Sequence, residues 1–281
     1  MENKKQPLNF LVIGAQKCAT TWLFECLNEH PDICLPKHKR EVEYMGGPLY
    51  KEQGGQQWYL SLLNHCDNNK VKGDVSVEYI INNESPQLIY NLNPQIKFIL
   101  SARNPADRAL SAMKWYIRKG SLPQNEIELT NGFAEAIKSF LPNENIFSSN
   151  IFHDVLHRGL YKKLLEPYYK LFKPEQFLIV RYEEIQNNPE KILKNIYSFL
   201  QVDASVVPPS IATKPKKNSN NKLLVNIERK FSKNKIVSYL VNKAHQAFPG
   251  NAAKNMAQHE KEIHAMLTKF YNANDVLVKT N

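Results

Sequence analysis

A short apolar run, Leu8 to Ile13, ends at Gly14, and beyond a polar turn come Thr20 and Thr21, then Leu23, Cys26 and Leu27 at helical spacing ahead of Pro31. A near-continuous run of this length reads as a strand buried on both faces, the kind found in parallel sheets. Threonine suits the start of a helix, and proline marks its end. Strand, loop and helix in this order present free backbone N–H groups and the positive end of a helix dipole at the loop, which favours an anion there.

The alternation recurs along the chain. Val71–Val77, Lys97–Ala102 and Phe177–Val180 read as buried strands, Pro105 begins a helix running toward Lys119, and a further helix runs from Pro189 to Leu200. A helix is also expected from Tyr161 to Phe172, kinked or restarted at Pro167. Strands alternating with helices predict a three-layer α/β fold, a mostly parallel central sheet flanked by helices. With 281 residues, no internal repeat and no evident linker, the sequence predicts one domain over residues 1–281, with a basic loop near 208–222 and a helical C-terminal segment.

The first loop reads Gly14-Ala15-Gln16-Lys17-Cys18-Ala19-Thr20-Thr21-Trp22. Small residues let a phosphate approach the backbone, Lys17 adds a full charge, and the hydroxyls of Thr20 and Thr21 supply donors. The bland alternative is that Thr20 caps a helix and Trp22 packs. Lys17 stands three residues before Thr20 and a second glycine is missing, so the pattern is not that of a nucleotide-triphosphatase P-loop, where lysine immediately precedes a magnesium-binding Ser/Thr. It resembles instead the Lys-Ser-Gly-Thr-Thr-Trp loop of sulfotransferases that use 3′-phosphoadenosine-5′-phosphosulfate (PAPS). The resemblance aligns Lys17, Cys18, Ala19, Thr20, Thr21 and Trp22 with it and implies that they hold the 5′-phosphosulfate in a P-loop-like sulfotransferase fold. Cys18 replaces serine and Ala19 replaces glycine.

The second carrier of the resemblance is Phe98-Ile99-Leu100-Ser101-Ala102-Arg103, followed by Ser111 eight positions after Arg103. In that family an arginine after a strand and a serine at this spacing hold the 3′-phosphate, a role that fits the planar guanidinium. Arg108, between them, is expected in a structural ion pair. The segment Pro36-Lys37-His38-Lys39-Arg40-Glu41-Val42-Glu43-Tyr44 resembles the Lys-Glu-x-x-Phe-Phe region of glycan-type sulfotransferases, so Glu41 takes the place of the catalytic base. Gly73-Asp74-Val75-Ser76-Val77-Glu78-Tyr79 resembles the strand end that lines the acceptor cleft. Glu78 and His38 are reserve bases, and Tyr79 and Arg158 join them on the acceptor side. Lys216, Lys217 and Asn218 in the basic loop are expected over the 3′-phosphate, or else form a solvated charge run.

The implied reaction moves a sulfuryl group from PAPS to a hydroxyl or amine, leaving adenosine 3′,5′-bisphosphate (PAP), with Lys17 and Glu41 as catalytic residues and no metal required. The main expectation for the acceptor is a small molecule, a natural product or metabolite; the alternative is a glycan, and a nucleotide kinase is a more distant reading. Two other readings are weaker. His153-Asp154-Val155-Leu156-His157 places histidines at metal-site spacing without a third ligand, and the formal charge of +10 attracts anions but is spread along the chain, without a motif for specific nucleic-acid recognition. No stretch reaches the roughly 18 apolar residues of a membrane span, and no signal-peptide core follows the polar start, so cytoplasmic residence is expected. The four cysteines, Cys18, Cys26, Cys34 and Cys66, form no CxxC pair and are expected to be reduced thiols. Nothing in the sequence bears on oligomeric state.

Overall fold

Alternation along each strand sorts the core into two faces. In the computed structural model, which describes residues 7–37, 43–140, 150–213 and 253–274, β1 (Phe10–Gly14) is buried throughout. Phe10 and Val12 face one side, packing with Leu23, Cys26 and Leu27 of α1 (Thr20–Asn28) and with Ile192 and Ile196 of α10 (Pro189–Leu200). On the other face Phe98 of β4 (Lys97–Ala102) meets Tyr168 of α8 (Tyr161–Tyr169) edge-on at 5.4 Å and stacks on Phe177 of β5 (Phe177–Arg181) at 4.8 Å.

Among the described residues the sheet holds five strands in the order β2-β3-β1-β4-β5, with β2 at Ile33–Cys34 and β3 at Val71–Val75. Every pairing is parallel, with Val12 opposite both Val75 and Ile99. The expected parallel sheet flanked by helices is therefore present. Short helices α2 (Pro48–Glu52) and α3 (Gln56–Ser61) fill the connection from β2 to β3, α4 (Ser85–Leu92) leads toward β4, and α9 (Tyr182–Asn187) follows β5. Helix α8 runs through Pro167 and stops two residues later.

The chain forms two compact units, Met1–Arg103 with Tyr161–Pro215, and Asn104–Leu160 with Lys216–Asn281. Each is assembled from two stretches of chain, so no linker marks a boundary in the sequence. The sheet belongs to the first unit. The second contains α5 (Pro105–Lys119), α6 (Glu126–Lys138), α7 (Ile151–His157) and α11 (Ala253–Asn274) around Ala109, Met113, Phe133, Leu156, Leu267 and Phe270. Asn104 caps α5 by accepting from the N–H groups of Ala106 and Asp107, and Gly120, at φ 75°, ends it. Arg108, expected in an ion pair, lies fully buried and donates to the Val155 carbonyl, with Tyr271 Oη 3.5 Å away. Among the described residues no helix is long and apolar enough to cross a membrane.

One expectation fails outright. Cys34 and Cys66 are joined in a disulfide, and Cys18 and Cys26 are buried thiols outside any disulfide. The pairing of β2 beside β3 brings the ends of a long connection together, which linear spacing does not reveal. A disulfide is the chemistry of an oxidising compartment.

Candidate functional site: the phosphate loop and acceptor side

The loop after β1 leaves the sheet at Gly14, whose φ of 142° an L side chain rarely adopts, and a Cβ there would press on Ile80 at 3.1 Å. Ser101 of β4 anchors the loop twice: its carbonyl accepts from Ala15 N at 2.8 Å, and its hydroxyl donates to the Cys18 carbonyl at 2.5 Å. Lys17 and Ala19 both lie in the left-handed region, at φ 69° and 65°. The chain thus enters α1 through Ala19 as N-cap, and no side chain caps that end. Thr20 is already helical and buried, so it cannot serve as the cap expected of it. Asn104, Asn125, Asn150 and Asn188 accept N-terminal hydrogen bonds on α5, α6, α7 and α10. The uncapped start of α1, at the carboxyl end of a central parallel strand and beside Lys17, suits an anionic ligand.

Two tyrosines given no site role from the sequence complete this part. Tyr161, buried at the start of α8, puts its hydroxyl 3.7 Å from Cys18 Sγ and accepts from Arg103 N at 3.5 Å, linking the loop to the end of β4. Tyr182 lies under Arg103, with Cζ 4.6 Å from the ring centroid. Burial pushes the Tyr182 phenol up, against the opposing pull of Arg103, so it stays neutral at physiological pH. Trp22 is buried and donates from Nε1 to the Ser210 carbonyl at 3.1 Å, tying α1 to the turn Pro209–Ala212, which Glu29 also holds through Ser210. Ser111 stands on α5 in the second unit, whereas Arg103 closes the first.

On the acceptor side, Tyr79 is buried and its hydroxyl lies 2.6 Å from Asp74 Oδ2 and 2.8 Å from Tyr59 Oη; Tyr59 reaches the same carboxylate oxygen at 3.0 Å. Tyr79 is therefore engaged internally and not presented to an acceptor. Burial raises the Asp74 pKa, Tyr79, the Val75 N–H and Tyr59 oppose that by hydrogen bonding, and the charge of Glu43 adds to the rise. Glu43 is thus electrically close to the end of β3. Tyr44, one residue on, is buried edge-on to Tyr79 at 5.7 Å. Glu78 is half-buried, its N–H on Ser76 Oγ at 3.3 Å. Glu41, His38, Lys216, Lys217 and Asn218 lie outside the described residues.

Arg158, also assigned to the acceptor, spans both oxygens of Asp154 at 2.8 and 3.0 Å within the second unit, and Tyr116 donates to the same carboxylate. That carboxylate is occupied structurally. His153 meets Ser139 Oγ at 3.1 Å and His157 is buried against Phe140, so the histidine pair is engaged in helix packing.

The family of the sulfotransferase domain matches residues 7–266. The chain belongs to that family. Its members use PAPS as sulfuryl donor, and the loop from Gly14 to Trp22 has the curled backbone, uncapped helix start and lysine that a phosphosulfate needs. The chain is similar to a bifunctional heparan sulfate N-deacetylase/N-sulfotransferase 1 of Caenorhabditis elegans, 26% identical over 79% of this chain and 25% of that protein. It is also similar to heparan sulfate glucosamine 3-O-sulfotransferase 5 of Mus musculus, 26% identical over 72% of this chain and 54% of that protein. The chain thus spans a quarter of the first relative and about half of the second. A sulfotransferase from Alicyclobacillus acidocaldarius shares the fold, with a TM-score of 0.58 and 22% identity over 85% of this chain and 98% of that one.

Proposed function

We propose that this sulfotransferase moves the sulfuryl group of PAPS to a hydroxyl or amino group of a glycan. The observation that carries the donor half is the uncapped, left-handed entry into α1 beside Lys17. For the acceptor, the relatives named for heparan sulfate and the glycan-type segment around Glu41 favour a sugar, so the expectation of a small metabolite gives way.

PAPS supplies an activated sulfuryl group with PAP as leaving group. Lys17 and the first-turn N–H groups of α1 hold the negative charge that grows on the bridging oxygen. Arg103, steadied on Tyr182, holds the 3′-phosphate. Glu41 takes the acceptor proton as the new sulfur–oxygen or sulfur–nitrogen bond forms, with Glu78 the alternative base among the described residues. No step needs a metal.

The test supplies sulfur-labelled PAPS with a desulfated heparan-type polysaccharide, a simple phenol and an aliphatic alcohol, each with and without EDTA. Label in the polysaccharide that persists in EDTA is expected. Label confined to the phenol or alcohol overturns the glycan reading, and loss of transfer in EDTA overturns the metal-free mechanism.

A further inference from the structure

Cys34 ends β2, and Cys66 follows the turn after α3, their Cα atoms 5.8 Å apart across the disulfide. Between them in space stands the exposed ring of His65, with Nε2 3.6 Å from Cys34 Sγ and 3.8 Å from Cys66 Sγ. Among the described residues this is the group of cysteine, histidine and carboxylate side chains close enough to share a metal, its three ligand atoms all within 4.8 Å of one another. Sulfuryl transfer makes no use of it.

A disulfide needs no imidazole beside both sulfurs. A tetrahedral zinc ion does: with Zn–S near 2.3 Å and Zn–N near 2.1 Å, sulfur and nitrogen on adjacent corners lie about 3.6 Å apart. The separations from His65 Nε2 match that edge on both sides. Soft sulfur with imidazole selects zinc-class metals over calcium or magnesium. The exposed imidazole leaves a way in and a fourth position open to water.

We propose that Cys34, His65 and Cys66 form a three-ligand zinc-class site once the disulfide is reduced, so that the two sulfurs carry either their mutual bond or a metal, never both. Reduction by a dithiol moves two electrons and two protons to the pair and leaves the reductant as its own disulfide. The metal then displaces both thiol protons, and His65 ligates as neutral imidazole. In either state β2 is tied to the turn before β3, across the connection that contains Glu41. Cys26 does not compete, because burial, with help from Glu29 and Glu25, pushes its pKa up to about 12.

The experiment uses the full chain with cobalt(II) as the probe and a phosphine as reductant. Thiol titration in denaturant is expected to give two thiols before reduction and four after. The reduced protein is expected to show the thiolate-to-cobalt charge-transfer band and tetrahedral ligand-field bands, displaced by an equivalent of zinc and absent from the oxidised protein. His65→Ala, an exposed change that spares the fold, should weaken cobalt binding tenfold or more, since even outer-shell partners are worth about 10- to 100-fold. Cys26→Ser should leave binding unchanged. Four thiols before reduction, or two after it, overturn the exclusive pair. A fully reduced chain without the band, a band that survives Cys34→Ser, or unaltered affinity in His65→Ala overturns the metal site. The readout needs neither donor nor acceptor, so it stands apart from sulfuryl transfer.

Discussion

Arg103 lies over the ring of Tyr182, its Cζ 4.6 Å from the centroid. The contact joins the end of β4 to the first residue of α9, holding a long side chain in place before any ligand arrives. Cation–π contacts range from about 0.5 kcal/mol when exposed to about 2 when desolvated. Tyr182→Ala should therefore weaken PAP binding by about 2- to 30-fold, and Tyr182→Phe should change it little. Calorimetry with PAP, using AMP and Arg103→Ala as controls that remove one partner each, reads this directly. Wild-type affinity in Tyr182→Ala would show that the ring does not position the arginine.

Ala19 occupies a conformation that glycine adopts freely and that costs another L residue roughly 1–2 kcal/mol. The loop retains its shape without the glycine of the related pattern, at the expense of local stability. Ala19→Gly should raise stability by about 1 kcal/mol after the unfolded chain's added freedom is allowed for, seen as a higher urea midpoint at constant m. Ala19→Val should lower it. A destabilised glycine variant would mean that the methyl group packs for more than the backbone loses.

Lys17 supplies the full charge of the loop. Removing one preorganised donor from a developing anion typically costs about 100- to 1000-fold in turnover. Lys17→Ala should fall in that range at saturating PAPS. Lys17→Arg should not restore it fully, because a planar fork replaces a compact ammonium. Near-normal initial rates from the alanine variant would remove Lys17 from the mechanism.

The disulfide links residues 32 apart in sequence. Loop closure on that scale lies between the roughly 3 kcal/mol of a 15-residue loop and 4.7 of a 100-residue loop. Reduction without metal should therefore lower unfolding stability by about 3–4 kcal/mol, measured by urea unfolding of oxidised and reduced protein. No change in midpoint would show that the connection holds its ends together unaided.

Legibility in the sequence followed the range of the interaction. Helix α5 was readable to the residue because Asn104, Pro105 and Gly120 mark its ends locally, and β4 was readable because the five residues after Lys97 are apolar or small and buried. The two-residue β2 and the short helices α2 and α3 carry no period long enough to register. Lys17 and Arg103 were visible as residue types beside strand ends. Tyr161 was not recognised as a link, because its contacts reach residues 143 and 58 positions away, and such pairings leave no local pattern. Tyr79 looked available for the acceptor because a sequence shows a hydroxyl but not the buried Asp74 that takes it. The Cys34–Cys66 pair was hidden for the same reason.

Asp74 offers a pH signature of that buried cluster. Its folded pKa is raised, first by burial, with Tyr79, the Val75 N–H and Tyr59 opposing and Glu43 adding to the rise, from an ordinary value of 3.8. A raised carboxyl binds its proton more tightly in the folded state, so its contribution to stability is fully present below 3.8 and is lost as pH rises through the folded value. Asp74→Asn keeps an acceptor for the tyrosine hydroxyls and removes the titration. The stability of the wild type relative to Asp74→Asn should therefore be greatest at acid pH and decline toward neutrality, as measured by urea midpoints across that range. A difference that grows with pH would mean that the two tyrosines and the Val75 N–H stabilise the anion by more than burial costs it.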